Sequence, residues 1–315
     1  MSTKKTDIVK VNKQIQKVNT SVVLTAKVFR ISNIKYIKLF KKHPKFFIDL
    51  ISLRYPLTKY DLEKYKDYLN WEKISANSSI NWDISLIEKY KDKLSWNGMF
   101  CLSQNPALPW SMSFIERYAN LWDWKGIWSL STNPALPWSF ELVDKYKDKW
   151  SWHRLSWNVK IPVTIDMVQK FEHKWNWKGL SRNETLPKES SILDKYKHKI
   201  DTNITPFKME KAHSDLTIEV IEKYEEKWDW KQLSRDEDVP WTVKLINRYQ
   251  DKWDWREHGL SRNEALPWSF DLLNKYEKNW NWDRLSLNFN LWKKAFESFV
   301  DEKLVKDFFF EFGVN

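Results

Sequence analysis

A cadence that returns every 25 to 28 residues constrains this chain more than any other feature. A Ser, Thr, Asp or Glu is followed seven residues later by an aromatic anchor with a basic residue just before it, and then usually by Trp-x-Trp. The anchors are Tyr65, Tyr90, Tyr118, Tyr146, Phe171, Tyr196, Tyr224, Tyr249 and Tyr276, which define nine copies numbered here in chain order. A fixed period in this range marks a stack of short units, each burying its apolar face on its neighbours. The repeat therefore overrides the two globular domains that 315 residues would otherwise suggest. Such an array has no single enclosed pocket by default, which favours binding over catalysis.

Local patterns give the unit its shape. Seven residues before the anchors stand Thr58, Asp83, Ser111, Ser139, Thr164, Glu189, Thr217, Thr242 and Ser269, mostly side chains that cap a helix N-terminus. Pro56, Pro109, Pro137, Pro162, Pro187, Pro240 and Pro267 sit two residues earlier, where proline cannot extend a preceding helix. A helix of about three turns is expected from each cap, as over residues 140–150, with Val143, Tyr146 and Trp150 on one buried face. Between the two Trp residues lie further potential caps, Asn70, Ser95, Asp123, Ser151, Asn176, Asp229, Asp254 and Asn281, which predict a second, short helix running to a Leu-Ser pair. The distance from the second Trp to that Leu varies between copies, and the longer form is expected to add nearly one helical turn.

After Leu-Ser-x comes Asn77, Asn105, Asn133, Asn158, Asn183, Asn263 or Asn288, with Asp236 once. These side chains suit a helix C-cap or an asparagine ladder between copies, and a recognition ladder is the sharper alternative. Leu-Ser-x-Asn-x-x-Leu-Pro also has the look of a leucine-rich repeat, but pairs such as Lys178-Gly179 and His153-Arg154 lack the alternating apolar residues of its strand. Two cap series point instead to an all-α fold, an α-solenoid of nine two-helix repeats of 25–28 residues.

The cadence around Trp122 and Trp124, Trp228 and Trp230, and Trp253 and Trp255, with the Ser-Asn and Pro-Trp-Ser segments beside most of them, resembles Trp-rich short-repeat proteins of bacteria and large DNA viruses. The resemblance covers residues 58–290 and implies a repeat fold, with no activity to carry over. More loosely, the helix pair is similar to tetratricopeptide and HEAT units, whose arrays hold protein partners, although this repeat is shorter and lacks their motifs.

Charge is unevenly placed. Residues 1–50 hold twelve Lys or Arg against Asp7 and Asp49, so most of the net +11 sits there and residues 51–315 are nearly neutral. Ile34, Ile37 and Phe40 with Lys35, Lys38, Lys41 and Lys42 make a basic amphipathic stretch suited to an acidic partner, nucleic acid or an anionic membrane. The organisation read from the sequence is a basic N-terminal segment with a degenerate capping repeat over residues 1–57, the array over 58–290, and a C-terminal capping helix over 291–315. One cysteine, Cys101, the absence of a secretory pattern and of any long apolar run lead to the expectation of a cytoplasmic protein with no transmembrane segment.

Chemistry is harder to find. The basic residue before each anchor would form a column able to meet phosphates, but acids three residues later, such as Asp67, Asp92 and Asp148, predict self-neutralised pairs along each helix. His173 and His198 replace that acid in adjacent copies, yet layers about 9–10 Å apart are too far for two imidazoles to share one zinc. A serine repeated from Ser75 to Ser286 is a structural position, since a nucleophile needs one activated hydroxyl with a base. No phosphate loop, metal-protease helix or Cys-His set is present, so neither a cofactor nor a metal is expected. Copy six departs from the pattern at Ile200-Asp201-Thr202 and at Lys208-Met209-Glu210-Lys211, as a hinge, a partner loop or drift would.

The expectation is a non-enzymatic scaffold that binds a macromolecule, foremost a protein, along its concave surface. The alternative is a nucleic-acid-binding protein that uses the basic N-terminal segment. Candidate contacts are Lys35, Lys38, Lys41 and Lys42, the off-pattern Trp128 and Trp157, and the arginines Arg182, Arg235 and Arg262.

Overall fold

The cap residues begin the helices expected of them. In the computed structural model, which describes residues 34–187, 195–196, 198–199 and 217–311, all regular structure among the described residues is helical. Thr58, Asp83, Ser111, Ser139, Thr164, Thr217, Thr242 and Ser269 each accept the backbone N–H three residues on. Thr58 adds a reciprocal capping box with Asp61. Glu189 and the irregular segments of copy six lie outside the described residues.

These helices are shorter than three turns. Phe140–Lys145 has six residues, and Tyr146 leaves the helix at φ −114, ψ 25. A longer helix would need Lys147 N–H to reach the Val143 carbonyl, but that carbonyl instead accepts the Trp150 indole N–H at 3.0 Å, and Lys147 N–H turns to Asp144 O. Trp122, Trp253 and Trp280 bond the carbonyl seven residues back in the same way. The first Trp thus satisfies a helix-end carbonyl with its own side chain and closes the helix. The expected face still forms, because Val143, Tyr146 and Trp150 are all buried.

The second helix is present where the gap to Leu is short: Trp71–Ala76, Trp152–Leu155, Trp177–Ser181, Trp230–Leu233 and Trp282–Leu285. In the longer copies the expected extra turn is replaced by an outward loop. Leu102 follows Ser95, Leu130 follows Asp123 and Leu260 follows Asp254 through bends and turns rather than helix. In both forms, however, the Leu N–H donates to the residue between the two Trp: Leu155 to Ser151 at 2.9 Å, and Leu130 to Asp123 at 2.8 Å. That shared bond holds the phase; in these loops Met99, Ile127 and His258 are exposed, while Cys101, Ser129 and Gly259 are buried.

The chain divides into two compact units, Ile48–Leu216 and Met1–Phe47 with Thr217–Asn315. Within the second, the helical residues 34–42 lie with the C-terminal tail, whereas the sequence placed these two segments at opposite ends of the array. Tyr36 donates its hydroxyl to the Ala295 carbonyl at 3.2 Å, and Phe47 meets Phe308 edge-on at 4.5 Å between ring centroids. His43 stacks on Trp282 at 3.7 Å, covering the second Trp of copy nine. Elsewhere a second Trp is covered by the next copy, as Trp124 is by Tyr146 and Trp150 at 4.6 and 4.8 Å. Aromatic packing of this kind is worth about 0.5–1.5 kcal/mol per pair beyond burial.

Candidate interaction surface

Most polar groups that repeat from copy to copy are consumed in holding the copies together. Six of the ladder serines are relays: Ser103 Oγ donates to Trp96 O at 2.6 Å and accepts Asp123 N–H from the next copy at 3.0 Å. Ser75, Ser131, Ser156, Ser234 and Ser261 repeat both bonds. These hydroxyls are buried, and their partners in these bonds are backbone groups.

The asparagines work backwards along the chain. Asn105 Nδ2 donates to Ser75 O and Asn77 O of the previous copy, and its Oδ1 accepts Ala107 N–H. Asn133, Asn183 and Asn263 use both ends of the amide in the same way. The ladder is therefore an internal one, and its amides have little left for a ligand.

The basic column is neutralised, but not by the acids that the sequence suggested. Lys89 pairs with Glu63 at 2.8 Å, Lys145 with Glu116 at 3.0 Å and Lys170 with Asp144 at 2.9 Å, each acid lying in the preceding copy. Because the helix ends at the anchor, the acid beyond it leaves the helical face. Asp148 is instead taken by Lys174 of the next copy. Glu63 also accepts from Lys66 and the Tyr90 hydroxyl; with Lys66 first and Lys89 next, these bonds hold its carboxyl down at about 2. Tyr118, buried and bonded to Glu88, is pushed up to about 12. These shifts arise from pairing and burial between copies, causes that structural ion-pair networks share with functional sites. His173 sits beside its neighbour Glu172, and the described residues hold no group of three metal-ligating side chains.

What the shared network leaves over is the x of Leu-Ser-x-Asn. These side chains differ between copies and meet one another: Gln104 Nε2 donates to Thr132 Oγ1 at 2.8 Å, and the Arg182 guanidinium lies over the Trp157 ring at 5.5 Å. Arg235 and Arg262 line one cavity. Of the tryptophans described, only Trp128 and Trp157 are exposed, at 43% and 40%. A Cβ on Gly179 would come 2.6 Å from Trp157 Nε1, so a glycine in the next copy makes room for that ring. The juxtaposition of x residues was present in the sequence as a shared register and was not drawn from it.

The N-terminal candidates separate into two groups. Lys41 pairs with Glu311 at 2.6 Å and Lys42 with Glu277 at 2.8 Å, while Lys45, outside the candidate set, reaches Asp283. Lys35 and Lys38 are exposed. No described helix is long and apolar enough to cross a membrane.

No protein family, curated protein or solved structure matches this chain.

Proposed function

We propose that this chain is a non-enzymatic α-solenoid of nine two-helix repeats that binds a protein partner along the edge formed by the x residues and the outward loops. The observation that carries this reading is the division of labour inside Leu-Ser-x-Asn: Ser and Asn are buried in bonds between copies, while x varies and is exposed at Trp157, Arg182, Arg235 and Arg262. Arginine and tryptophan are the side chains that most often dominate protein interfaces. The single cysteine, buried at Cys101, agrees with a cytoplasmic setting.

The test is affinity capture with the whole chain alongside Trp128→Ser, Trp157→Ser and Arg182→Gln, each checked for unchanged circular dichroism. A partner held by the parent and lost from these variants is expected. A partner retained equally by all of them would remove this edge from consideration, and an activity abolished by one substitution would overturn the non-enzymatic reading.

Nucleic-acid binding through residues 4–45 is the second reading, favoured by the exposed Lys35 and Lys38. It predicts a gel shift that weakens steeply with salt and disappears with Lys35→Gln and Lys38→Gln together. Binding insensitive to salt, or none, removes it.

A further inference from the structure

The outward loop of copy eight shares two backbone bonds with the other outward loops and adds a third, from Gly259 N–H to Arg256 O. Gly259 N–H donates to Arg256 O at 3.0 Å, Leu260 N–H to Asp254 O at 2.7 Å and Arg262 N–H to Gly259 O at 3.0 Å. A Cβ on Gly259 would lie 1.8 Å from Asp254 O, so the turn requires glycine at this position. The turn sets His258 beside Arg262 of its own copy and Arg235, the x residue of copy seven. Together these three line a cavity of about 230 Å³, with Glu237, Gly259 and Asn263 completing the wall.

The charges in this cavity are not balanced from within. The basic column pairs with acids of the preceding copy, whereas Arg235, His258 and Arg262 form no ion pair with a described residue. Glu237 is the one acidic residue in the lining, against two arginines. Asn263 contributes no free donor, since its Nδ2 already serves Ser234 O and Asp236 O. Two arginines and a histidine therefore line one small space without a side-chain acceptor bonded to their donors among the described residues, a combination that suits an anion.

Size and shape narrow the ligand. The cavity is smaller than the roughly 300–1,000 Å³ of pockets that enclose drug-sized molecules, so it has room for a head group rather than a whole nucleotide. A carboxylate occupies one guanidinium fork with its two oxygens. A tetrahedral phosphate offers enough oxygens for both arginines and the imidazole at once.

We propose that Arg235, His258 and Arg262 bind a tetrahedral oxyanion of phosphate type, either free inorganic phosphate or the phosphate-ester head of a small molecule. The site shares Arg235 and Arg262 with the proposed protein-binding edge but does not rest on that reading, and would stand if no protein partner were found.

Calorimetric titration of the whole chain with inorganic phosphate, and separately with O-phosphoserine, tests it against chloride at matched ionic strength. Saturable binding of at least one phosphate compound is expected, weakened roughly tenfold or more by Arg235→Gln and by Arg262→Gln. Arg182→Gln should bind like the parent, because Arg182 lies over Trp157 and outside this cavity. Binding of inorganic phosphate identifies the free anion as sufficient; binding of O-phosphoserine alone identifies the ester. Arg262→Lys keeps the charge and loses the fork, so it should fall between parent and Arg262→Gln, and it carries the test if a glutamine variant loses its fold. No saturable binding of either compound, or equal weakening in Arg182→Gln, overturns the proposal.

Discussion

Ser131 Oγ donates to the Trp124 carbonyl at 2.5 Å and accepts the Ser151 N–H at 2.9 Å, so one hydroxyl ties the end of one copy to the start of the next. Two residues away, the buried Ser129 hydroxyl has no partner among the described residues. Removing a hydroxyl that satisfies two backbone groups should cost about 1–3 kcal/mol, since both are left buried and unpaired. Ser131→Ala is therefore expected to lower stability by that amount in urea denaturation, while Ser129→Ala should be neutral or slightly stabilising. Equal effects from the two would contradict the relay.

Two glycines should respond differently to alanine. Gly259 has no space for a Cβ against Asp254 O, so Gly259→Ala should cost about 1–3 kcal/mol, as overpacking does. Gly98 is at φ +88 with nothing near its Cβ position, so Gly98→Ala meets only the left-handed backbone penalty of about 1–2 kcal/mol. Thermal melts should also show loss of phosphate binding in Gly259→Ala and not in Gly98→Ala, if copy eight holds the anion.

The pairs between copies are largely solvent-exposed. Lys145 and Glu116 lie 3.0 Å apart with 40% and 61% of their side chains exposed, so a double-mutant cycle on Lys145→Gln and Glu116→Gln should return less than about 1 kcal/mol. A coupling well above that would mean that the column contributes more than neutralisation.

Acid should weaken the fold within a defined window. Glu63, held mainly by Lys66, and Asp83, held mainly by Lys59, titrate at about 2 when folded, below the ordinary 4.5 and 3.8. The unfolded chain thus binds more protons between these values, and the stability these groups contribute is complete above about pH 5 and lost as pH falls towards 2. Melting temperatures measured across that range should fall, and Glu63→Gln should flatten part of the slope.

Alkali acts through two phenols. Burial is the first cause that raises Tyr36 and Tyr118 from 10.0 to about 12, followed by Asp271 for Tyr36 and by the Glu88 bond for Tyr118. Their contribution is present below about pH 10 and lost as pH rises through 12. Ultraviolet titration should show tyrosinate forming late in the native protein and earlier in denaturant.

Much of this architecture was readable because it is local. A cap, an anchor and a buried face depend on spacing within one helix, and Thr58, Ser139 and Ser269 declare them in three or four residues. Helix length was misread because Trp150 ends the helix through its indole, a bond that periodicity does not reveal. The ion pairs were misassigned for a related reason: Lys89 and Glu63 are 26 residues apart in sequence and adjacent only once copies stack. The exposure of Trp128 and Trp157 was legible, since neither belongs to a Trp-x-Trp pair.

The sequence by itself determined the helical class, the caps and the period, because those follow from backbone satisfaction within a single unit. Only the tertiary structure decided which groups remain for recognition. The ladder Ser and Asn and the first Trp of each pair are taken up by a neighbouring copy or by their own helix end, whereas Trp128 and Trp157 stay exposed. Arg235 and Arg262 look like repeated surface charge, and they become a pair around His258 only because Gly259 folds the loop of copy eight back on itself.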